Sequence, residues 1–513
     1  MQQRCQTMLL ISFFPKNRNM KEKNLKRKIL LLIFPILFIL FSTVFNPSTA
    51  NPNIGIMLGI AIWMLGWWVT EVVPIAVTSL LPIVLFPLMG IISGEKISKV
   101  YFNEVIFLYI GGFLLALSIE KWEVHKRIAS RTLMIFGQGT FQILAGFMLV
   151  TSLLSMWMSN TSIALLMLPI GISVIEKLVE IYGEKELGRF KAGLLLGIAY
   201  ASSIGGMATL IGSPTNLVFL KTYEANFKNG PTINFTNWLF FAFPIYIVLI
   251  IVALLLLYFF FKPKKKLEII DNTFFQIENM KLGKVTYEQK VVLFVFFLFA
   301  ILMIFRADIA IGSFRIPGWS NLFSKSYYII DAVVAAFISV LLFIIPSKNV
   351  TDSTIMDWKT ANRIPWGIIL LFGGGFALEK GFEVSGLTFW FASKIDLLSG
   401  NHIILIILAA CFITLLMTQI VANVTVVQAL LPLCVALSIS LKINPLYLML
   451  PITFSASAAF MLPISTPPNA ILLATGQIKM KEMLLPGIIL VIISGLVISL
   501  AMFYWGSYVF GIK

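Results

Sequence analysis

Two stretches of this chain carry the same polar residues in the same order, and each breaks an apolar tract where water could not satisfy an interrupted backbone. The first reads MWMSNTSIALLMLPI and then YASSIGGMATLIGSPTN; the second reads TQIVANVTVVQALLPL and then FSASAAFMLPISTPPN. Asn160 and Asn423 stand 263 positions apart, as do Pro169 and Pro432. Pro214 and Pro467 stand 253 apart, as do Asn216 and Asn469. Paired polar interruptions in two halves of an apolar chain point to a ligand site near the bilayer midplane.

Hydrophobic residues make up 59% of the 513 and charged residues 12%, a balance that excludes a water-soluble domain of this length. Several apolar tracts, among them 141–158, 162–175 and 425–440, fall short of the roughly 20 residues a span needs, so half-helices or re-entrant segments are expected. The sequence therefore predicts an all-α polytopic membrane protein, an inverted-repeat transporter with about 11 transmembrane helices, two re-entrant hairpins and discontinuous helices.

The formal charge of +16 lies in short runs between apolar tracts, the positive-inside pattern of a membrane chain and not a nucleic-acid surface. Lys16–Lys28 precedes the first tract and Lys262–Lys266 opens a loop ending near Lys290, so both are expected in the cytoplasm; Arg306–Lys325 reads as external. This gives a basic N-terminal segment 1–28, a first half 29–261 with site motifs at 155–161 and 205–216, a cytoplasmic loop 262–290, and a second half 291–513 with motifs at 418–425 and 455–469. The repeat extends further. Phe107–Val124 resembles Leu371–Val384, each glycine-rich and ending near Glu-Lys, and 67–87 has an echo in 329–346 that sets Glu71 opposite Asp331.

The N-terminal outline, basic then apolar then Ser48-Thr49-Ala50, is also that of a secretory signal, but its length favours a retained span. Met20 offers an alternative start. Cys5, Cys411 and Cys434 make no paired framework, and no disulfide is expected.

A helix that stops inside the bilayer leaves backbone groups unpaired, at several kcal/mol each unless ligand, ion or water satisfies them. Ser159-Asn160-Thr161 and Ala422-Asn423-Val424 read as such stops, each followed by a helix whose positive N-terminal end invites an anion. Gly205, Gly206 and Gly212, with Pro214, Pro467 and Pro468, suit a second unwound strand in each half. Carbonyl, hydroxyl and amide oxygens at these breaks suit a hard monovalent cation. The plainer alternative is that Ser, Asn and Thr bond between helices and Gly allows close packing. Four interruptions in matched pairs favour the site.

Other polar groups read as structural. Glu71 and Asp331 suit buried carboxylates with local partners, and Glu120-Lys121 and Glu379-Lys380 suit local ion pairs at hairpin bases. His125 and His402 stand apart, which argues against a histidine metal site or base. No GxxxxGK[ST] occurs, so no built-in ATP motor is expected, and no cluster of acid, base and metal ligands suggests an enzyme.

These motifs, SNTS…LP, YASSIGGMATLIGSPTN, WWVTEVVPIAVTSLLP and SASAAFMLPISTPPNA, together resemble the divalent anion/sodium symporter family of the ion transporter superfamily, over roughly residues 54–510. The resemblance implies a homodimeric carrier of di- or tricarboxylates or sulfate, driven by Na+ and moving its transport domain as an elevator. It implies that Asn160, Thr161, Ser213 and Pro214 bind the anion from one half, with Asn423, Val424, Thr466 and Pro467 from the other. It further implies one sodium site at Ser155, Ser159, Asn160 and Gly212, and another at Thr418, Ala422, Asn423 and Ser465. Ala422 and Val424 depart from the family's second Ser-Asn-Thr. A lost hydroxyl bond to a carboxylate costs about 1.5–3 kcal/mol, and Thr425 is the nearest replacement.

The function expected is sodium-coupled symport of a small divalent anion, a C4-dicarboxylate such as succinate, across the inner membrane with a cytoplasmic N-terminus. Dicarboxylate exchange, proton coupling, or sulfate as substrate are the alternatives. Partners are the anion, sodium, the lipid bilayer and a second copy of the chain; no organic cofactor or nucleic acid is expected.

Overall fold

The computed structural model describes residues 20–44, 51–136, 139–263, 280, 282–311, 314–349, 353–394, 403–463 and 465–512. The chain before Met20, Ser48-Thr49-Ala50, most of the 262–290 loop and His402 lie outside the described residues. Among the described residues eight helices are long and apolar enough to cross a bilayer: Pro52–Thr70, Gly94–Lys121, Asn160–Tyr182, Phe190–Met207, Phe235–Phe261, Tyr287–Ile304, Asn423–Leu441 and Met480–Val509. Five shorter apolar helices accompany them, and three of these, Thr140–Ser155, Ile403–Thr418 and Leu446–Ser457, end at the interruptions seen in the sequence. Large apolar side chains such as Phe259, Phe294, Phe297 and Phe337 stay exposed, as a lipid-facing surface requires. Phe261, at the end of the helix Phe235–Phe261, is buried.

The chain divides into two compact units, each drawing segments from both sequence halves. One comprises residues 1–103, 366–401 and 421–449. Its core gathers Met57, Ile60, Met64, Trp68, Phe86, Ile97 and Leu378. The helix Trp366–Ser385 enters this core through three successive glycines. A methyl on Gly373 would strike the Tyr101 ring, one on Gly374 would lie 2.7 Å from Ser79 O, and one on Gly375 would strike the Gln428 amide. Gln428 is held there by donating to Leu371 O at 2.8 Å, and Tyr101 donates to Ser79 O at 2.5 Å. Each glycine thus admits a different neighbour to backbone distance.

The other unit comprises 104–365, 402–420 and 450–513. Its hub is Phe190–Met207, buried along almost its whole length. This helix is rich in Gly, Ala and Ser, so its neighbours Thr140–Ser155, Asn160–Tyr182 and Phe235–Phe261 approach closely. Gly205 shows how close: a methyl there would collide with the Ser152 backbone. Glu104–Lys121 packs on Asp331–Ile344 through Gly111, where an added methyl would sit 2.6 Å from Ala335 O.

Three charges of the Glu-Lys pairs reach partners beyond their neighbours. Glu120 meets Arg363, Lys121 meets Asp357 at 2.7 Å, and Lys380 meets Glu383 at 2.7 Å. Adjacent residues on a helix point about 100° apart, so their charges seek partners elsewhere. The Asp357 carboxyl, bonded to Lys121, is held down at about 2. Asp331 is buried and bonded to Arg306 and to Phe235 N–H at 3.0 Å, a local partnership of the kind expected. The 306–325 stretch holds an unforeseen element, an antiparallel pair of Ile309–Ile311 with Phe314–Ile316. Asp308 anchors it by accepting from Gly318 N–H at 2.8 Å and Asn321 at 2.6 Å.

Candidate functional site

All four expected interruptions are breaks in helices. Thr140–Ser155 stops and Asn160–Tyr182 begins with Ser159 as its cap; Phe190–Met207 stops and Pro214–Asn226 begins after Ser213. Ile403–Thr418 stops and Asn423–Leu441 begins after Ala422; Leu446–Ser457 stops and Pro467–Ala474 begins after Thr466. Proline at the first helical position starts the later helix in each half, since its missing N–H would have had no helical partner.

The first and second breaks meet in one unit. Ser155 Oγ lies 2.8 Å from Asn160 Oδ1 and 2.6 Å from Ser202 O. These three oxygens share a single hydroxyl hydrogen, so one of the close oxygen pairs has no proton between it. An oxygen-rich cluster short of protons is what a hard cation coordinates. Gly206 walls the cluster, because any side chain there would collide with Asn160 Oδ1. Gly212 lies by the Met156 and Gly206 carbonyls, at 3.0 and 2.8 Å from where its Cβ would stand. Thr209, buried between the breaks, donates to Met156 O and accepts from Gly212 N–H at 3.1 Å.

Ser159 uses its hydroxyl as a cap, accepting from Ser162 N–H at 3.2 Å and donating to Ser162 Oγ at 2.8 Å. Asn160, Thr161 and Pro214 remain half-buried while Ser213 is buried. The first-turn N–H groups at Asn160 and Thr161 precede the first intrahelical bond, from Ile163 N to Ser159 O at 3.1 Å, leaving a positive helix end beside the oxygen cluster.

The third and fourth breaks are tied in the same way. Thr418 Oγ1 donates to Ala456 O at 2.6 Å, and Gln419 donates to Ala458 O at 3.3 Å while accepting from Met461 N–H at 3.0 Å. Ser465 and Thr466 are buried and Pro467 is exposed, with Ser465 Oγ donating to Leu462 O at 2.5 Å. Thr215 joins the two halves by a hydroxyl contact of 3.1 Å with Ser457. Ala422, Asn423 and Val424 belong to the other compact unit, where they open its helix Asn423–Leu441.

Sequence reasoning missed Ser202, Thr209 and Gln419. Ser202 acts through a carbonyl, which any residue type supplies, so composition carried no signal for it. Thr209 was legible as the one hydroxyl residue between Gly206 and Gly212.

Away from the breaks, a cavity of ≈ 340 Å³ is lined by Glu104, Leu108, Glu224, Arg306 and Asp331, among others. Glu104 pairs with Lys221 at 2.6 Å and Asp331 with Arg306. Among the described residues His125 is buried, with Nδ1 3.3 Å from Ile119 O, and no group of three acidic, His or Cys side chains suits a metal ion.

The transmembrane region of sodium:sulfate symporters matches residues 21–512 of the chain. The sodium-dependent dicarboxylate transporter SdcS of Staphylococcus saprophyticus is 37% identical over 509 residues, covering 98% of this chain and 96% of that protein. SdcS of Staphylococcus aureus is likewise 37% identical, with 95% of its length covered. In structure, the chain is similar to the YdaH transporter of Alcanivorax borkumensis (TM-score 0.52, 12% identity, 82% of this chain and 88% of that one). MtrF of Neisseria gonorrhoeae gives a TM-score of 0.50 at 12% identity, over 80% and 84%. At that identity the likeness concerns fold alone.

Proposed function

The chain belongs to the sodium:sulfate symporter family of multi-pass membrane proteins, and from that premise we propose that it is a sodium-dependent dicarboxylate transporter and not an enzyme. The observation that carries this reading is the proton-poor trio of Ser155 Oγ, Asn160 Oδ1 and Ser202 O beside a helix N-terminus. Sodium coordinated by the trio orders the break, and the helix end then attracts the carboxylate. The 37% identity to SdcS supports dicarboxylate as cargo.

In finer detail, the substrate is a C4-dicarboxylate such as succinate, taken up across the inner membrane by an elevator-type motion of a homodimer with inverted repeats. Its spans number about 11, with two re-entrant hairpins. Asn160, Thr161, Ser213, Pro214, Thr466 and Pro467 are its anion ligands, and sequence correspondence adds Asn423 and Val424. Ser155, Asn160 and Gly212 hold one sodium with Ser159; Thr418 and Ser465, with Ala422 and Asn423 by correspondence, hold another. Each net positive charge crossing with the substrate adds roughly 2.3 kcal/mol of drive per 100 mV.

Succinate uptake into proteoliposomes tests this. Uptake should require external sodium and no internal substrate, and Asn160→Ala and Asn423→Ala should each abolish it while the protein stays folded. Transport retained by Asn160→Ala refutes the site assignment. A strict need for internal dicarboxylate establishes exchange instead, the reading that the missing hydroxyls at Ala422 and Val424 favour. Competition by citrate and sulfate ranks the anions.

A further inference from the structure

We propose that Asn216 and Asn469 are matched clasps, positioning residues that hold the two unwound loops in the shape that receives cation and anion; the inference rests on the sodium-coupled reading above. In the first loop the Asn216 carboxamide donates backward to Gly206 O at 3.0 Å and Thr209 O at 2.8 Å. In the second, Asn469 donates to Ala459 O at 2.9 Å and Leu462 O at 3.3 Å. Donor and both acceptors map onto their counterparts at the one offset of 253 positions that relates Asn216 to Asn469. The repeat is therefore preserved as hydrogen bonds, although three of the four acceptor residues differ in type from a simple polar motif and act only through backbone.

The chemistry explains why the residue is asparagine. Unwinding a buried helix frees carbonyls ten and seven positions before the side chain, and two acceptors in this arrangement need two hydrogens on one short arm. An amide supplies both; Ser or Thr supplies one, and a carboxylate none. Asn216 and Asn469 are 1% and 2% exposed, so water cannot substitute. The first clasp also fixes the sodium site, since Gly206, whose carbonyl it grips, walls the Ser155–Asn160 cluster, and Thr209, gripped likewise, bonds Met156 O across the first break.

The halves differ around the amide: Asn469 Nδ2 also lies 3.3 Å from Ser465 Oγ, where the first half has Gly212. Asn216 Oδ1 accepts from Thr215 Oγ1 at 3.2 Å, whereas Pro468 stands at the corresponding place before Asn469, and Asn469 Oδ1 has no partner among the described residues. Both clasps nonetheless keep their Nδ2 bonds, which makes the paired carbonyls the shared function.

The test uses the full-length protein in lipid nanodiscs and proteoliposomes, with Asn216→Asp and Asn469→Asp as near-isosteric variants lacking the donor. Asn216→Ala and Asn469→Ala remove the amide without adding charge, in case the carboxylates do not fold. Amide hydrogen exchange without substrate should quicken in 206–213 for the Asn216 variants and in 459–466 for the Asn469 variants. Because an unclasped loop is competent only part of the time, the sodium concentration for half-maximal succinate uptake should rise about tenfold if one molecule in ten stays ordered, and saturating sodium should restore the rate. Unchanged exchange in both loops overturns the proposal. So does a loss of yield and thermal stability alone, with sodium dependence and KM per folded molecule intact. A wild-type protein indifferent to sodium refutes the coupling reading instead, while the exchange measurement still judges the clasps.

Discussion

Gly206 leaves no room for even a methyl beside the Asn160 carboxamide, so the smallest possible enlargement tests the oxygen cluster without touching its ligands. Gly206→Ala should push Asn160 off Ser155 and cut sodium-activated uptake by at least about tenfold, equivalent to some 1.4 kcal/mol of lost cation affinity. Ligand-free protein should keep its melting temperature to within a few degrees; an unaltered sodium dependence would argue that the cluster binds no cation. At this scale the sequence revealed a great deal. Ser155, Asn160, Gly212, Ser213, Thr418, Ser465 and Thr466 all lie at helix breaks, because polar residues in an apolar tract have few other reasons to be there. What it could not reveal is direction. Ser159 and Asn160 are neighbours, yet one hydroxyl turns back to cap its own helix while the next amide turns to Ser155, and no periodicity separates those choices.

Among the elements, glycine positions decide which helices touch. Gly111 sets Glu104–Lys121 against Asp331–Ile344 at backbone distance. Gly111→Ala should destabilise this pair by about 1–3 kcal/mol through overpacking, read as a lower melting temperature in detergent, whereas alanine at Gly90, with nothing nearby, tests only its positive φ. The break positions and the glycine-rich stretches were legible in advance because both are local. The partners were not: Glu120 finds Arg363 and Lys121 finds Asp357, choices made by packing between segments more than 200 residues apart. The strand pair at 309–316 also escaped notice, since its anchor is one carboxylate, Asp308, and not an alternating pattern.

Across the molecule, charges from distant parts of the chain pair up, and the bond between Lys121 and Asp357 gives the fold a pH response. Asp357 accepts from Lys121 at 2.7 Å and from Thr360 N–H at 2.7 Å. The Lys121 bond, and then the bonds from Thr360, hold its carboxyl at about 2 against an ordinary 3.8. Between about 2 and 3.8 the unfolded chain keeps a proton that the folded protein has released, so stability should fall as pH drops through that window and level off below it. Asp357→Asn should flatten this slope in thermal melts; an identical slope in the variant would place the titration elsewhere.

The bond between Thr215 and Ser457 joins residues 242 apart, and this separation has a cost in time. A ribosome adding 5–20 residues per second takes about 12–50 s to make Ser457 after Thr215. Through that interval the nascent first half carries its unwound segments without the mate that completes them. Completion of the site therefore belongs to late synthesis, whatever the order in which the earlier helices enter the membrane.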